Sequence, residues 1–177
     1  KVLGAYPCML AAIRNLAGEI IGLHRTYLDP GRPNKLTPPG DRRRNKAKKV
    51  FGAVSGGFIR LGAVERVMAI GEGIETSLGW YQLGVGPDEI GLGCAVSLGN
   101  IAGAATGTIA HPKFPRRTIY NGEPDMARPG MILPDEVAEA ILLGDGDSDP
   151  PDTCAKLLTG ARRIRALGKI ASIHMAP

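Results

Sequence analysis

An apolar run near the C-terminal end of the sequence stops abruptly in acidic side chains. Asp145 and Asp147 follow Leu142 and Leu143, with Gly146 between the two acids. Carboxylates two residues apart can converge on one hard cation if the backbone bends, and a glycine lets it bend without a Cβ clash. Mg²⁺ is bound through one or two carboxylates together with water and phosphates. The pattern therefore predicts a Mg²⁺ or Mn²⁺ site at Asp145 and Asp147.

A second acidic turn follows another apolar run. Glu72 lies in a Gly-Glu-Gly turn directly after residues 65–70 (ERVMAI). Ligands of open α/β sheets bind beyond the carboxyl ends of the strands, so we expect Glu72 to meet the two aspartates at one rim. Such a cluster favours a bound cation or a raised pKa. The alternative is structural: Asp149 or Asp152 caps the next helix, and the other acids are solvated.

The elements that must position these acids alternate between strands and helices. Apolar runs predict strands at 65–70, 94–98, 140–143 and 170–174, and helices at 76–83, 101–105 and 152–167. This alternation predicts an α/β fold with a mainly parallel sheet flanked by helices. Residues 106–134 contain five prolines and no clear period, and we interpret them as an insertion or loop over one end of the sheet.

The N-terminal part of the sequence differs in charge and pattern. Residues 1–70 carry 13 Lys and Arg against 4 Asp and Glu, whereas residues 71–177 carry a net charge of −4. Two β-prone runs around residues 15–18 (NLAG) predict a hairpin, and a basic Pro-rich and Gly-rich loop follows. We therefore predict a small β-rich basic lobe over residues 1–62 before a second domain over residues 63–177. Such a lobe attracts a polyanion, although a solvated loop gives the same charge count.

Other features exclude several classes of protein. Cys8, Cys94 and Cys154 are far apart without a C-x-x-C pair, which argues against zinc and against a disulfide framework. No run approaches the roughly 20 apolar residues that cross a membrane, and no signal peptide opens the sequence. We therefore expect a cytoplasmic protein with no membrane partner. Because the sequence begins with Lys1 rather than Met, we expect it to be part of a longer protein.

The region from residue 63 to residue 177 resembles the Toprim domain, which bacterial DnaG-type primases, topoisomerases and certain nucleases share. The likeness lies in residues 71–76 (GEGIET) and, far downstream, in residues 145–147 (DGD). The resemblance implies that Glu72 acts as a general acid or base and contributes to metal binding. It also implies that Asp145 and Asp147 hold Mg²⁺ or Mn²⁺.

A second likeness points to primases within that family. Residues 13–22 (IRNLAGEIIG) resemble the I-R-D-x-x-G-x-x-I-G stretch that precedes Toprim in DnaG-type primase cores. In those primases three basic residues that follow line the template groove. The positions that match in order are Arg25, Lys35 and one of Lys46, Lys48 and Lys49. The likeness is greatest to the divergent Toprim primases of phages and plasmids.

A run of positive charge extends the predicted nucleic-acid-binding set. Six of eight consecutive residues are basic: Arg42, Arg43, Arg44, Lys46, Lys48 and Lys49. Phosphate contacts from such residues are independent of sequence and sensitive to salt. Tyr27 and Phe51 are the aromatic residues that could stack on bases.

Together these features predict part of a Toprim primase, a DNA-replication enzyme that makes RNA or DNA primers on single-stranded DNA. The reaction would be Mg²⁺-dependent or Mn²⁺-dependent nucleotidyl transfer from nucleoside triphosphates, and a replicative helicase would be a further partner. Two alternatives stay open. One is a Toprim module that binds nucleic acid without catalysis, and the other is a Toprim nuclease.

Overall fold

The structure, a computed structural model, describes residues 4–40, 45–82, 89–145 and 149–175. The strands of this part of the chain are β1 (Cys8–Arg14), β2 (Ile20–Tyr27), β3 (Lys48–Gly52), β4 (Phe58–Arg60), β5 (Val67–Gly71), β6 (Ile90–Cys94), β7 (Thr108–Ala110), β8 (Thr118–Tyr120), β9 (Glu139–Gly144) and β10 (Ile170–Met175). Its helices are α1 (Ile74–Gln82), α2 (Leu98–Ala102) and α3 (Pro150–Ala166). Eight strands form one sheet in the order β10-β9-β5-β6-β4-β1-β2-β3, and β7 pairs with β8 alone.

The large sheet has two halves that differ in strand direction. From β10 to β6 neighbouring strands are parallel, whereas from β6 through β4, β1 and β2 to β3 they are antiparallel. The predicted α/β fold with a mainly parallel sheet flanked by helices is therefore wrong, because the sheet is mixed and antiparallel pairings outnumber parallel ones. The antiparallel strands of the N-terminal part continue the same sheet as the parallel strands, since β4 pairs with both β1 and β6.

The hairpin of β1 and β2 lies where the sequence predicts it. Ile13 lies opposite Gly22, and Gly18 adopts a φ of +81° in the turn between the strands. That backbone conformation favours glycine over any residue with a Cβ. A Cβ on Gly22 would lie 2.2 Å from the carbonyl oxygen of Ala53, so the segment after β3 packs directly against the hairpin.

Helices cover the two faces of the parallel half. Alternate residues of a strand point to opposite faces, so Met68 and Ile70 of β5 pack with Leu157 of α3. Ala69, between them, joins the cluster on the other face, against which Trp80 of α1 packs. Within the described residues no helix is both long and apolar enough to cross a membrane.

The segment from 106 to 134, predicted as an insertion or loop, contains the β7–β8 hairpin. Thr108 lies opposite Tyr120 and Ala110 opposite Thr118. Ile119 is buried, so the segment has an apolar anchor of its own. The predicted division of the chain at residue 62 stays a prediction.

Candidate functional site

Glu72 and Asp145 lie just past the carboxyl ends of two neighbouring parallel strands. In the parallel pairing of β5 with β9, Gly71 is the register partner of Leu143. Glu72 directly follows Gly71, and Asp145 follows Leu143 after one glycine. Both acids therefore leave the sheet at the same edge, and the structure brings together two of the three predicted carboxylates. Asp147 lies outside the described residues.

Glu72 has a perturbed ionisation equilibrium. Its pKa is raised mainly by burial and further by the negative charge of Asp145. The backbone N–H of Leu98 donates to its carboxylate and opposes this rise, as do the charges of Lys156 and Lys48. A carboxyl group with a raised pKa can exchange a proton closer to neutral pH than an ordinary glutamate.

Asp145 is held by a hydroxyl group from the first turn of α1. Oγ1 of Thr76 donates to the Asp145 carboxylate, lying 2.8 Å from Oδ1 and 3.1 Å from Oδ2. The next residue, Ser77, is fully buried, and its hydroxyl accepts from the N–H of Gly71 and donates to the carbonyl of Gly93. These contacts fix the start of α1 against the ends of three strands. No pattern in the sequence assigns a role to either hydroxyl.

The turn between β6 and α2 positions the groups around Glu72. Val96 in this turn has a φ of +74°, and Ser97 caps α2 by accepting from the N–H of Asn100. The thiol of Cys94 donates to the carbonyl oxygen of Glu72, with 3.3 Å between sulfur and oxygen. Burial raises the pKa of the Cys94 thiol to about 11, so it is not a thiolate nucleophile at neutral pH.

The donor chemistry of this edge fits a hard divalent cation. Glu72 and Asp145 offer carboxylate oxygens, which suit Mg²⁺ and Mn²⁺ better than soft metals. In the described part of the chain there is no group of three or more His, Cys, Asp and Glu side chains that could hold a metal. Two carboxylates are nevertheless what Mg²⁺ usually takes from a protein. A cation there would also relieve the repulsion between Asp145 and Glu72, which adds to the effect of burial on the pKa of Glu72.

Two of the predicted nucleic-acid-binding lysines converge on one glutamate. Nζ of Lys48 lies 2.8 Å from Oε2 of Glu75, and Nζ of Lys35 lies 3.2 Å from Oε1. Burial would raise the pKa of Glu75, but the hydrogen bond and charge of Lys48, with a hydrogen bond from Lys35, lower it to about 2. Glu75 therefore holds both lysines beside α1.

The other predicted basic residues lie elsewhere. Arg25 and Lys49 occupy the opposite face of the sheet from Lys48, because Arg25 lies opposite Lys49 in the pairing of β2 with β3. Lys46 is exposed in the segment before β3. The predicted set is thus divided between two faces rather than gathered in one groove. Arg42, Arg43 and Arg44 lie outside the described residues.

His111 and Arg117 of the 106–134 segment both contact Asp149, the residue before α3. Nε2 of His111 lies 2.9 Å from Oδ1 of Asp149, and Nη1 of Arg117 lies 3.1 Å from Oδ2. The hydrogen bond from His111 is the main cause that lowers the pKa of Asp149. Asp149 occupies the N-cap position of α3, but its side chain makes no capping hydrogen bond. No spacing in the sequence marks His111 as its partner.

Comparisons with known proteins bear on the N-terminal third of the chain. A family model described as a domain of unknown function, DUF7146, matches residues 1–61. The matched region contains β1 to β4, with Arg25, Lys35, Lys46, Lys48 and Lys49, and ends before Glu72 and Asp145. No curated protein and no solved structure matches the chain.

Proposed function

We propose that this chain carries the carboxylates of a metal-dependent nucleotidyl transferase of the primase type, acting on single-stranded DNA with nucleoside triphosphates. The observation that supports it most is the convergence of Glu72 and Asp145 at the ends of neighbouring parallel strands. The proposal rests on this pair and on the likeness of residues 71–76 and 145–147 to Toprim. It does not depend on the overall sheet, which is mixed.

The reaction requires a primer 3′ hydroxyl to attack the α-phosphorus of a triphosphate. A new P–O bond forms, the bond to the β-phosphate oxygen breaks, and pyrophosphate leaves with the electron pair. Glu72 accepts or relays the hydroxyl proton, for which its raised pKa suits it. Glu72 and Asp145, with Asp147 as the predicted third ligand, would hold Mg²⁺, which when bound neutralises charge on the phosphates. Lys48, which is paired with Glu75, and Lys156, which is paired with Asp152, add positive charge near Glu72.

Two further assignments belong to the same proposal. A replicative helicase as partner is proposed from the resemblance to primases alone, and a cytoplasmic location, expected from the sequence, is compatible with that function. A nucleic-acid-binding module without catalysis is the second candidate function. It is favoured by the cations and aromatic rings of β2 and β3, which lie on the face opposite Lys48 and Glu75.

The test is primer synthesis on single-stranded DNA with labelled nucleoside triphosphates and Mg²⁺ or Mn²⁺. We expect Glu72→Gln and Asp145→Asn to lower product formation by about a hundredfold or more, the range of general acid–base effects. Glu136→Gln and Asp135→Asn are matched controls, because both acids are exposed near the opposite end of β9. These controls should keep activity within about twofold, since substitutions away from structural features are nearly neutral.

The outcomes separate the candidates. Metal-dependent products that both carboxylate variants lose would support the transferase. Products that persist in both variants would contradict the role of this pair. Nicks in plasmid DNA incubated with the metal would favour the nuclease, and DNA binding without any product would favour the binding module. Mn²⁺ titration followed by electron paramagnetic resonance should show weaker binding in the Glu72→Gln, Asp145→Asn double variant, whatever the activity.

A further inference from the structure

The three-stranded ribbon of β1, β2 and β3 has one covered face and one open face. On the covered face His24 and Thr26 are buried, and Lys48, opposite Thr26, reaches Glu75 of α1. The residues that alternate with these along β2 and β3 point to the opposite face of the ribbon. This open face carries Leu10, Arg25 and Lys49 in one row across the three strands, and Phe51 two residues further along β3. Leu10 is 58% exposed and Phe51 is 50% exposed.

Aromatic rings and a guanidinium group form a continuous row on this face. The guanidinium carbon of Arg25 lies 3.7 Å from the ring centroid of Tyr27 and 5.7 Å from that of Phe51. Nη1 of Arg25 also donates to the Tyr27 hydroxyl at 2.9 Å, and Tyr6 meets Tyr27 edge to face at 5.8 Å. These contacts hold the Arg25 guanidinium over the ring of Tyr27, and half of Phe51 is open to solvent.

No carboxylate among the described residues neutralises the charges on this face. Arg25 and Lys49 lie directly opposite each other, and like charges in that relationship destabilise a sheet. Among the described residues neither has a carboxylate partner, whereas Lys48, one position away on the other face, is paired with Glu75. Two unpaired cations held side by side create a local positive potential, which an anionic ligand would relieve.

We propose that this open face binds single-stranded nucleic acid, with bases stacked on Phe51 and on the Arg25–Tyr27 pair and phosphates bound by Lys49 and Arg25. The ligand must offer both anionic groups and flat rings, which a single strand does. A duplex keeps its base faces stacked inside. The choice of a nucleic acid rests on the proposed function, but the surface is separate from the carboxylate pair and does not need catalysis.

The test compares two fluorescent 12-nucleotide strands in anisotropy titrations of the full chain. One strand is oligothymidine, and the other has the same phosphates with abasic residues. We expect Phe51→Ala to weaken binding of oligothymidine about tenfold, in the range of stacking one base on an aromatic ring, and to leave binding of the abasic strand unchanged. Phe51→Tyr should retain the affinity, and Phe51→Leu, which keeps an apolar side chain without a ring, should lose it.

Val50→Ala is the matched control for Phe51→Ala. Val50 is the preceding residue of β3 and is 37% exposed, but it points to the other face of the sheet. Val50→Ala should leave the affinity for both strands within about twofold of wild type, as expected for a residue that does not contact the nucleic acid. Lys49→Ala should weaken both strands equally and reduce the slope of log affinity against log salt by about 0.7, the value for one phosphate contact on a single strand.

Several results would overturn the proposal. They are unchanged oligothymidine binding in Phe51→Ala, an equal loss for the abasic strand, or tighter binding of duplex than of single-stranded DNA. A face that binds no nucleic acid would then be open to a protein partner. If the Glu72→Gln, Asp145→Asn double variant still binds oligothymidine, this proposal is supported even where primer synthesis fails. The two proposals can therefore fail separately.

Discussion

The imidazole of His111 donates from Nε2 to the carboxylate of Asp149, with 2.9 Å between Nε2 and Oδ1. The direction follows from the other ring nitrogen, because Nδ1 accepts from the backbone N–H groups of Lys113 and Phe114 at 3.0 Å each. In a neutral imidazole the proton is therefore on Nε2. The bond joins the 106–134 segment to Asp149, the residue before α3. This segment thus helps to fix the start of α3.

Replacing His111 with alanine should destabilise the protein. The variant leaves the N–H groups of Lys113 and Phe114 without their acceptor and opens a cavity at a buried ring, so we expect the free energy of unfolding to fall by about 1–3 kcal/mol. Urea denaturation at neutral pH measures this change. His174→Ala is the control, since His174 is exposed on β10. Equal stability of His111→Ala and wild type would contradict the structural role of the bond.

Glu72 should make stability depend on pH in a defined direction. Its pKa is raised in the folded state, so the folded protein binds the proton more tightly than the unfolded chain does. The resulting stabilisation is complete below the unfolded pKa and is lost as pH rises through the raised folded pKa. Glu72→Gln removes this loss.

Urea denaturation from pH 4 to pH 8 should therefore show wild type losing stability relative to Glu72→Gln as the pH rises. The same titration with Mn²⁺ present should reverse the trend for wild type, because the ion binds the deprotonated pair and stabilises the folded state. Glu136→Gln provides the comparison for a glutamate that is exposed. Parallel pH profiles for wild type and Glu72→Gln would contradict the raised pKa.

Removing the carboxylate of Glu75 should strengthen nucleic-acid binding. Glu75 occupies Lys35 and Lys48, so Glu75→Gln frees two cations for phosphates. We expect the slope of log affinity against log salt to steepen by up to about 1.4 on a single strand, two contacts of roughly 0.7 each. Anisotropy titrations of oligothymidine at several salt concentrations measure it.

Glu136→Gln makes the same change in net charge at a distant exposed site and serves as the control for Glu75→Gln. If both variants gain the same affinity, the effect is one of net charge and Lys35 and Lys48 do not contact the strand. If Glu75→Gln binds more weakly than wild type, the glutamate orients the two lysines rather than competing for them.

The parts of the site that follow from local pattern could be predicted from the sequence. An apolar run that ends in acid, as at Leu143 and Asp145, indicates a strand end and the residue just beyond it. Two such ends meet because neighbouring parallel strands finish at the same edge, which places Glu72 beside Asp145. The turn at Gly18 is equally local, since its φ of +81° favours glycine.

Long-range packing set the features that the sequence did not reveal. The predicted strand at residues 94–98 is wrong, because β6 ends at Cys94. The sequence of β6 did not indicate a strand, because it contains two glycines, which are typical of turns. In the fold those glycines make room: a Cβ on Gly91 would lie 2.3 Å from the sulfur of Met68, and one on Gly93 would lie 3.1 Å from the ring of Phe58. The three residues of β4 connect the two halves of the sheet, and no local pattern indicates that β4 pairs with both β1 and β6.

Val96 is a β-branched residue with a left-handed backbone conformation, at a φ of +74°. It lies two residues before Leu98, whose backbone N–H donates to the Glu72 carboxylate. This conformation costs roughly 1–2 kcal/mol for a residue with a Cβ. Val96→Gly relieves that strain while losing a partly buried side chain, so we expect the free energy of unfolding to change by less than about 1 kcal/mol. Val54→Gly, in the same apolar cluster without a positive φ, should cost about 2 kcal/mol. Equal losses in urea denaturation would show that the side chain of Val96, rather than its backbone, determines the stability of this turn.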